Sequence, residues 1–342
     1  MKANRAFALA LLVAGGAASS NALADGDARS RQSQPSGARD NDTTRVFKRL
    51  GKNAIWRQLS VVPMRFPTFH TQGLVKIGDR FYVSAVELLE KRVSNSTPTD
   101  ALYDFSLDRN AGAGRGWLFK FDARGALLGK IELTSGAVYH PGGMDYDGRD
   151  LWVPVAEYRP NSHSNIYRVD PDTLEAELVF SEADHIGGIV RNRHGNSLNG
   201  VSWGSQRLYT WTLRERGEHR LPRVSAGRWE PHASFYIDYQ DCHYQGIEYM
   251  LCGGVGGYDT PLGSIAFGGL DLVDLRNNRM EHQIPVNAFI DEGTGPNPRL
   301  SLAHNAFWAE PTGNGTLRVY FMTESDNQAD LLQYEVTPWI HR

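Results

Sequence analysis

The chain has 342 residues, a formal net charge of −3 and no basic stripe, and this balance argues against nucleic acid as a partner. It contains 35 Gly, 14 Tyr, 14 Phe and 8 Trp, whereas long runs of helix-forming residues at helical spacing are absent from its body. This composition is typical of short strands joined by tight turns. We therefore predict an all-β fold.

The first 24 residues have the features of a secretory signal peptide. Lys2 and Arg5 precede an apolar run over residues 6–18, and Ala22-Leu23-Ala24 matches a cleavage site. The run is shorter than the roughly 20 residues that a membrane-spanning helix needs. We expect a periplasmic or secreted protein without a membrane span.

Residues 25–54 are polar and low in aromatic residues. Such a composition cannot bury enough apolar surface to offset the entropy of ordering, so we predict a disordered polar arm. The folded domain is predicted to occupy residues 55–337, and residues 338–342 form a short C-terminal tail.

A short motif recurs along this domain: a His, then a Gly three residues later, then an apolar run. It begins at His70, His140, His185 and His243, and a weakened copy begins at His304. The intervals of 70, 45, 58 and 61 residues fit one unit of about 40–50 residues with loop insertions, which is typical of a β-propeller. Five copies predict five blades.

The two ends of the domain complement each other. A strand is predicted over residues 55–62, before the first motif, whereas only three strands follow His304. We predict that the N-terminal strand completes the last blade and closes the ring, which removes the exposed sheet edges of an open array.

Glutamates recur at a similar spacing after the repeated His. Glu87 and Glu157 each follow the His of their blade by 17 residues, and Glu324 follows His304 by 20. Because the second strand of a blade returns toward the start of the first, these His and Glu residues are predicted to converge at the mouth of the central channel.

Imidazoles and carboxylates together suit a divalent transition metal, and a carboxylate can also orient a His or transfer a proton. We predict a site for Zn, Fe, Cu or Ni, with Glu87, Glu157 and Glu324 as catalytic groups. The predicted metal ligands are His70, His140, His185, His243 and His304.

Three further residues are predicted to bind a substrate. Gln72 and Gln245 share one place in their motifs, and Tyr103 lies in the long connection over residues 88–114, which could close over a ligand. We expect a small molecule or a peptide end as the ligand, hydrolytic or oxidative chemistry, and a monomer. The alternative is a non-catalytic binding or scaffold propeller, in which each His only holds a neighbouring loop.

The sequence contains two cysteines, Cys242 and Cys252. If both lay near the ends of one inner strand, a rise of about 3.3 Å per residue would keep them too far apart to bond. We therefore expect no disulfide, although an oxidising compartment favours one.

The segment Thr71-Gln72-Gly73-Leu74 resembles the Thr-Gln-Gly-Leu motif of plant and bacterial glutaminyl cyclases. Those proteins are exported five-bladed propellers that cyclise N-terminal glutamine, and the blade plan is similar over about residues 55–337. Ser84-Ala85-Val86-Glu87 stands where that family has Glu-Ser-Thr-Gly. As a whole, the chain also resembles an uncharacterised group of exported bacterial propellers.

Overall fold

The computed structural model describes residues 40–90, 111–214, 221–232, 236–261, 263–291, 299–304, 306–323 and 327–339. These ranges belong to the compact unit Pro35–Arg342. The predicted signal peptide, residues 25–39 and most of the connection over residues 88–114 lie outside them.

The chain enters through helix α1 (Asp40–Phe47) and strand β1 (Ile55–Pro63). Blade one contains β2 (His70–Ile77), β3 (Arg80–Glu90), β4 (Ala113–Asp122) and β5 (Leu127–Glu132). Blade two contains β6 (Val138–Pro141), β7 (Asp145–Tyr146), β8 (Leu151–Glu157), β9 (Ser164–Val169) and β10 (Ala176–Glu182). Blade three contains β11 (Ile186–Asn192), β12 (Ser197–Ser202), β13 (Arg207–Arg214), β14 (Arg223–Val224) and β15 (Arg228–Pro231).

Blade four contains β16 (Asp238–Tyr244), β17 (Tyr249–Thr260), β18 (Gly263–Asp274) and β19 (Arg279–Pro285). A short pair of strands, β20 (Phe289–Asp291) and β21 (Arg299–Ser301), leads to blade five, which contains β22 (Ala306–Pro311), β23 (Leu317–Met322) and β24 (Asp330–Thr337). Short 3₁₀ turns cover Trp203–Ser205 and Leu302–His304. The five antiparallel sheets confirm the predicted all-β, five-bladed propeller.

Ring closure occurs as the sequence predicts. Strand β1 pairs with β24 from Ile55 opposite Thr337 to Pro63 opposite Asp330, so the fifth sheet has the order β1-β24-β23-β22. The N-terminal strand thus covers the outer edge that β24 would otherwise expose.

The apolar core is divided among the gaps between neighbouring blades. Between blades two and three, for example, Trp152 packs with Trp211, whereas Leu74 of blade one packs with Met322 of blade five. Five such clusters follow the ring. At Gly142, close to the axis, the backbones of blades two and three leave no room for a side chain, because a Cβ there would lie 2.1 Å from the carbonyl oxygen of Gly187.

Helix α1 lies in the segment for which we predicted a disordered arm. Phe47, Leu50 and Ala54 are almost fully buried in the cluster between blades four and five, and Lys48 forms an ion pair with Glu281. The prediction of disorder therefore does not hold for residues 40–54. The apolar residues of this segment are buried, and average composition does not reveal this.

Cys242 and Cys252 form a disulfide, and the expectation of two unpaired cysteines was wrong. They lie directly opposite each other on β16 and β17, with 4.1 Å between their Cα atoms. The reason is the turn at Gly246–Glu248, where three consecutive residues have positive φ and reverse the chain between the two cysteines.

Candidate functional site

A cavity of about 220 Å³ lies on the propeller axis, at the end where the innermost strands begin. All five blades contribute to its lining. We name two parts of it. The aromatic wall consists of His140, Tyr158, His185 and Trp203, and the polar wall consists of His70, Gln72, Asp238, Gln240 and His304.

The blades place equivalent residues around this cavity. His70, His140, His185 and His304 stand at or just before the innermost strand of blades one, two, three and five. In blade four the same place, at the start of β16, is taken by Asp238. Four of the five predicted metal ligands therefore lie together, and the fifth position carries a carboxyl group.

The sequence contained a signal for Asp238 that the His pattern concealed. Gln240 follows Asp238 by two residues, as Gln72 follows His70, and both glutamines line the cavity. Gln72 thus lines the cavity and Gln240 takes the corresponding place in blade four, while substrate binding by Gln72 stays a prediction.

The four rings of the aromatic wall touch one another in a closed sequence. The ring of His140 stacks on Tyr158 with 4.3 Å between centroids, and Tyr158 lies 5.7 Å from Trp203. Trp203 meets His185 edge-on at 4.7 Å, and His185 lies 5.6 Å from His140. This mutual packing fixes the rings and gives the cavity a preformed side.

Backbone groups hold His185 in place. Its Nδ1 lies 2.8 Å from the carbonyl oxygen of Glu157, and its backbone N–H donates to Asp184. On the other side of the ring, Nε2 lies 3.7 Å from the position that a Cβ would occupy on Gly187, which also lines the cavity. An imidazole held through Nδ1 is oriented to use Nε2.

Asp238 is the carboxyl group of the polar wall. Burial raises its pKa to about 6, against the opposing effects of the Ser205 hydroxyl, which donates to Oδ1 at 3.1 Å, and of His304. The value brings its change of charge close to neutral pH.

Ser205 is itself held under strain. It is fully buried and has a φ of 52°, which is unfavourable for a residue with a side chain. Its carbonyl oxygen lies 3.0 Å from Nδ1 of His232, and its hydroxyl accepts the backbone N–H of Tyr239. Strained backbone of this kind is concentrated at functional sites.

The described part of the chain contains no group of three or more His, Cys, Asp or Glu side chains arranged to hold a metal ion. His70, His140, His185 and His304 are nevertheless brought to one cavity. Their role as metal ligands stays a prediction.

His243, the remaining predicted ligand, lies elsewhere on the axis. It is 1 % exposed and belongs to what we call the axial cluster: Asp145, Asp241 and His243. Its Nε2 lies 2.6 Å from the carbonyl oxygen of Phe307 and 3.3 Å from Oδ2 of Asp241. Burial alone lowers the pKa of His243, but the carboxylates of Asp241 and Asp145 outweigh it and raise the pKa to about 10.

The two carboxylates of the axial cluster bind backbone from the other blades. Asp241 of blade four accepts N–H groups of Leu74 in blade one and Phe307 in blade five. Asp145 of blade two accepts those of Arg191 in blade three and Tyr244 in blade four. The axial cluster therefore joins the inner strands of all five blades.

The other predicted site residues have different environments. The Glu87 carboxylate accepts Trp117 Nε1 and lies 3.8 Å from Arg115, while that of Glu157 accepts Arg159 Nε; neither carboxylate lines the cavity. Gln245 is in the turn after β16, where its carbonyl accepts the Thr44 hydroxyl. Glu324 and Tyr103 lie outside the described residues. These predicted roles remain untested.

Comparisons with known proteins identify a family for the chain. Residues 35–338 match DUF6454, a family of unknown function. None of the curated proteins matches the sequence.

Solved structures with similar backbones include a luciferin-regenerating enzyme, with 8 % identity, a TM-score of 0.44, and coverage of 83 % of this chain and 95 % of that one. A hypothetical protein from Leishmania major has 10 % identity and a TM-score of 0.43, over 83 % of this chain and 91 % of its own. The tail fibre of Staphylococcus aureus phage P68 has 9 % identity and a TM-score of 0.41, over 84 % and 53 %. Similarity at this level supports no inference about activity or ligand.

Proposed function

We propose that this chain, which belongs to DUF6454, a family of unknown function, binds a small molecule in its axial cavity and exchanges a proton with it through Asp238. The observation that carries this proposal is the position of Asp238, a partly buried carboxyl group in the place where the other four blades have His.

The size and lining of the cavity support a small ligand. Its volume of about 220 Å³ is below the roughly 300–1,000 Å³ of sites for drug-sized molecules. A wall of fixed rings faced by a few polar groups is the usual composition of a small-molecule site. A monosaccharide, an amino acid or the end of a peptide would fit this size class.

The chemistry of Asp238 supports proton exchange. A group whose pKa lies near the working pH is present in both protonation states and can therefore act as an acid or a base. Its pKa of about 6 meets this condition, and His304 beside it offers a second site for the proton. The Ser205 hydroxyl donates to one oxygen of this carboxyl group, Oδ1.

A panel of small sugars, amino acids, amines and dipeptides with N-terminal glutamine tests the proposal, with thermal shift as the screen and calorimetry for the compounds that bind. We expect at least one compound to bind, and its affinity to fall tenfold or more in Asp238→Asn and Trp203→Ala. Asp79→Asn, in an exposed turn of blade one, is the matched control and should bind like the wild type.

Proton exchange is measured by repeating the calorimetry near pH 6 in buffers of different ionisation enthalpy. Wild type should take up or release a fraction of a proton on binding, and Asp238→Asn should not. Absence of any binding compound, or unchanged affinity in both cavity variants, contradicts the proposed site.

A second candidate function is metal-dependent chemistry, hydrolytic or oxidative, on the same small molecule or peptide end. The orientation of His185 favours it, because a His fixed through Nδ1 by a backbone carbonyl is a common arrangement for a metal ligand. Here Glu157 would act as an orienting residue through its carbonyl rather than its carboxylate. A bound Zn, Fe, Cu or Ni ion would supply a polarising centre for the substrate.

Metal analysis of protein purified without a His-tag tests this second candidate. Stoichiometric metal in the wild type that is lost in the double variant His140→Ala, His185→Ala would support it. His194→Ala, at an exposed position, is the control. Metal-free protein that also binds no added Zn²⁺ or Ni²⁺ with micromolar affinity would exclude it.

We also propose that the protein acts after export. The signal-like residues 1–24 and the disulfide Cys242–Cys252 support this, since structural disulfides form in oxidising compartments. Among the described residues, no helix has the length and apolar character to cross a membrane. Cell fractionation with N-terminal sequencing of the mature chain tests export, and an intact Met1 in the cytosol contradicts it.

A further inference from the structure

We propose that the ligand of the axial cavity is a small organic cation, a primary or quaternary ammonium compound; this inference rests on the binding part of the proposed function and, for a quaternary ammonium, which has no N–H proton to exchange, on that part alone. It follows from the charge of the lining, from the unusual partners of its carboxyl group and from the rings that face it.

The first argument is the inventory of charges. Among the described lining residues, the ionisable side chains that can carry a positive charge are imidazoles, and none is Lys or Arg. At pH 8 the carboxyl group of Asp238, whose pKa is about 6, is ionised. The cavity therefore offers a negative charge to its ligand at that pH.

The second argument compares Asp238 with nearby carboxylates. Glu87, Glu157 and Asp184 lie near the same end of their blades, and an arginine neutralises each of them: Arg115 at 3.8 Å, Arg159 at 2.7 Å and Arg207 at 2.7 Å, respectively. Within the described part of the chain, the side chain that donates to Asp238 is the uncharged hydroxyl of Ser205. A partly buried carboxylate without a guanidinium or ammonium partner is available to a cationic ligand.

The third argument is the aromatic wall. Tyr158 and Trp203 lie 5.7 Å apart and are packed between the rings of His140 and His185. Aromatic faces attract organic cations through their quadrupoles, most strongly where water is excluded. A carboxylate and aromatic rings that line the same cavity form a complementary site for an ammonium group.

The cavity volume limits the size of this cation. About 220 Å³ corresponds to the space of roughly seven water molecules at about 30 Å³ each. Ethanolamine, tetramethylammonium and choline are within that limit. An anionic ligand is disfavoured, because the described lining residues include a carboxylate and neither lysine nor arginine to offset the repulsion.

The test compares choline with 3,3-dimethylbutan-1-ol, which has the same shape without the charge. Calorimetry or NMR titration is carried out at pH 8 on the mature full chain, with ethanolamine and tetramethylammonium as further cations. We expect at least one cation to bind, and choline, if it is the one, to bind at least tenfold more tightly than the uncharged isostere. Asp238→Asn and Trp203→Ala should each weaken cation binding at least tenfold.

Two controls separate the cavity from general surface effects. Trp229 is 50 % exposed on blade three, so Trp229→Ala removes an indole outside the cavity, and Asp79→Asn removes a carboxylate outside it. Both should bind the cation like the wild type, and circular dichroism with a melting curve shows whether each variant is folded.

The outcomes distinguish this inference from the proposed function. If none of the three cations binds, or the isostere binds as tightly as choline, the cation inference is overturned. If neutral sugars or acids bind instead and the two cavity variants weaken them, the proposed binding function stands without it. If no compound of any charge binds, both fail.

Discussion

Two groups of histidine and aspartate lie on the same axis of this propeller and differ in almost everything except composition. In the axial cluster, Asp145, Asp241 and His243 are at most 2 % exposed, and the two carboxylates accept backbone N–H groups of blades one, three, four and five. In the cavity, Asp238 and His304 are only partly buried and face open volume. The residue type alone therefore does not distinguish a structural residue from a ligand-binding one. The burial of the side chain and the identity of its hydrogen-bond partners do distinguish them.

The largest expected effect comes from opening the axial cluster. Asp241→Ala leaves the N–H groups of Leu74 and Phe307 without this acceptor and removes the nearer of the two carboxylates that balance the buried imidazolium of His243. We expect the free energy of unfolding to fall by about 3–5 kcal/mol. Urea denaturation at pH 7 measures this loss.

Asp238→Asn in the cavity is the matched comparison. Burial disfavours the charge of Asp238 and raises its pKa to about 6, so we expect the neutral amide to leave the unfolding free energy at pH 7 unchanged or higher, and not lower. Equal losses in the two variants would show that the cavity is structural as well, and the distinction drawn above would fail.

The second prediction concerns pH. An unfolded histidine loses its proton near pH 6.5, whereas His243 in the folded chain keeps it to about pH 10. Between these values the folded state binds more protons, so the stability contributed by His243 is complete below about pH 6.5 and is lost as the pH rises toward 10. Over this pH range the unfolding free energy should fall by on the order of a few kcal/mol.

Unfolding free energies from pH 6.5 to 10 check this slope. His243→Gln should be less stable, and its unfolding free energy should decline much less with pH. His304→Gln in the cavity should show the same decline with pH as the wild type. A wild-type slope that persists unchanged in His243→Gln would show that the imidazole is not charged in the folded chain.

The disulfide provides a third, smaller effect outside both groups. It closes a loop of 10 residues within blade four, which corresponds to about 2–3 kcal/mol of stabilisation in the chain-entropy model. We expect Cys242→Ser with Cys252→Ser to lose stability of this size and to keep the ligand affinity of the cavity. Loss of ligand binding in a folded double variant would mean that the disulfide shapes the cavity.

The sequence predicted the fold better than it predicted the site. Five repeated motifs and the unmatched strand before His70 were enough for the number of blades and for the closure by β1, because both depend on periodicity. Four of the five His positions around the cavity followed from the same phase.

Blade four shows why the spacing of the motif did not identify the cavity residue of every blade. His243-Tyr-Gln245-Gly246 satisfies the motif, but it lies at the end of β16, and Gln245 belongs to the turn that follows. The true counterpart is Asp238-Tyr-Gln240-Asp241, which lacks both the His and the Gly. A motif defined by His and Gly cannot detect a blade in which both residues are replaced. The same misalignment of blade four led to the expectation that both cysteines lie on one strand.

The smallest expected effect tests how the protein holds Asp238 ready in the cavity. Ser205 donates to the carboxylate, which stabilises the charged form, so removal of its hydroxyl should raise the pKa of Asp238 further by roughly half a unit to one unit. Two variants separate this hydrogen bond from the backbone strain. Glycine accepts a φ of 52° without strain, whereas alanine does not, so Ser205→Ala should be less stable than Ser205→Gly by about 1 kcal/mol.

Carbon-detected NMR of the aspartate carboxyl groups from pH 4 to 8 measures the titration, with Asp238→Asn to assign the signal. Both Ser205 variants should show the same upward shift, because they lack the same donor, despite their different stabilities. A shift in only one of them would attribute the effect to backbone strain, and no shift in either would mean that Ser205 supports the fold of the Trp203–Ser205 turn without acting on Asp238. The titration of a single carboxyl group thus decides whether the strained turn belongs to the cavity or, like the axial cluster, to the framework.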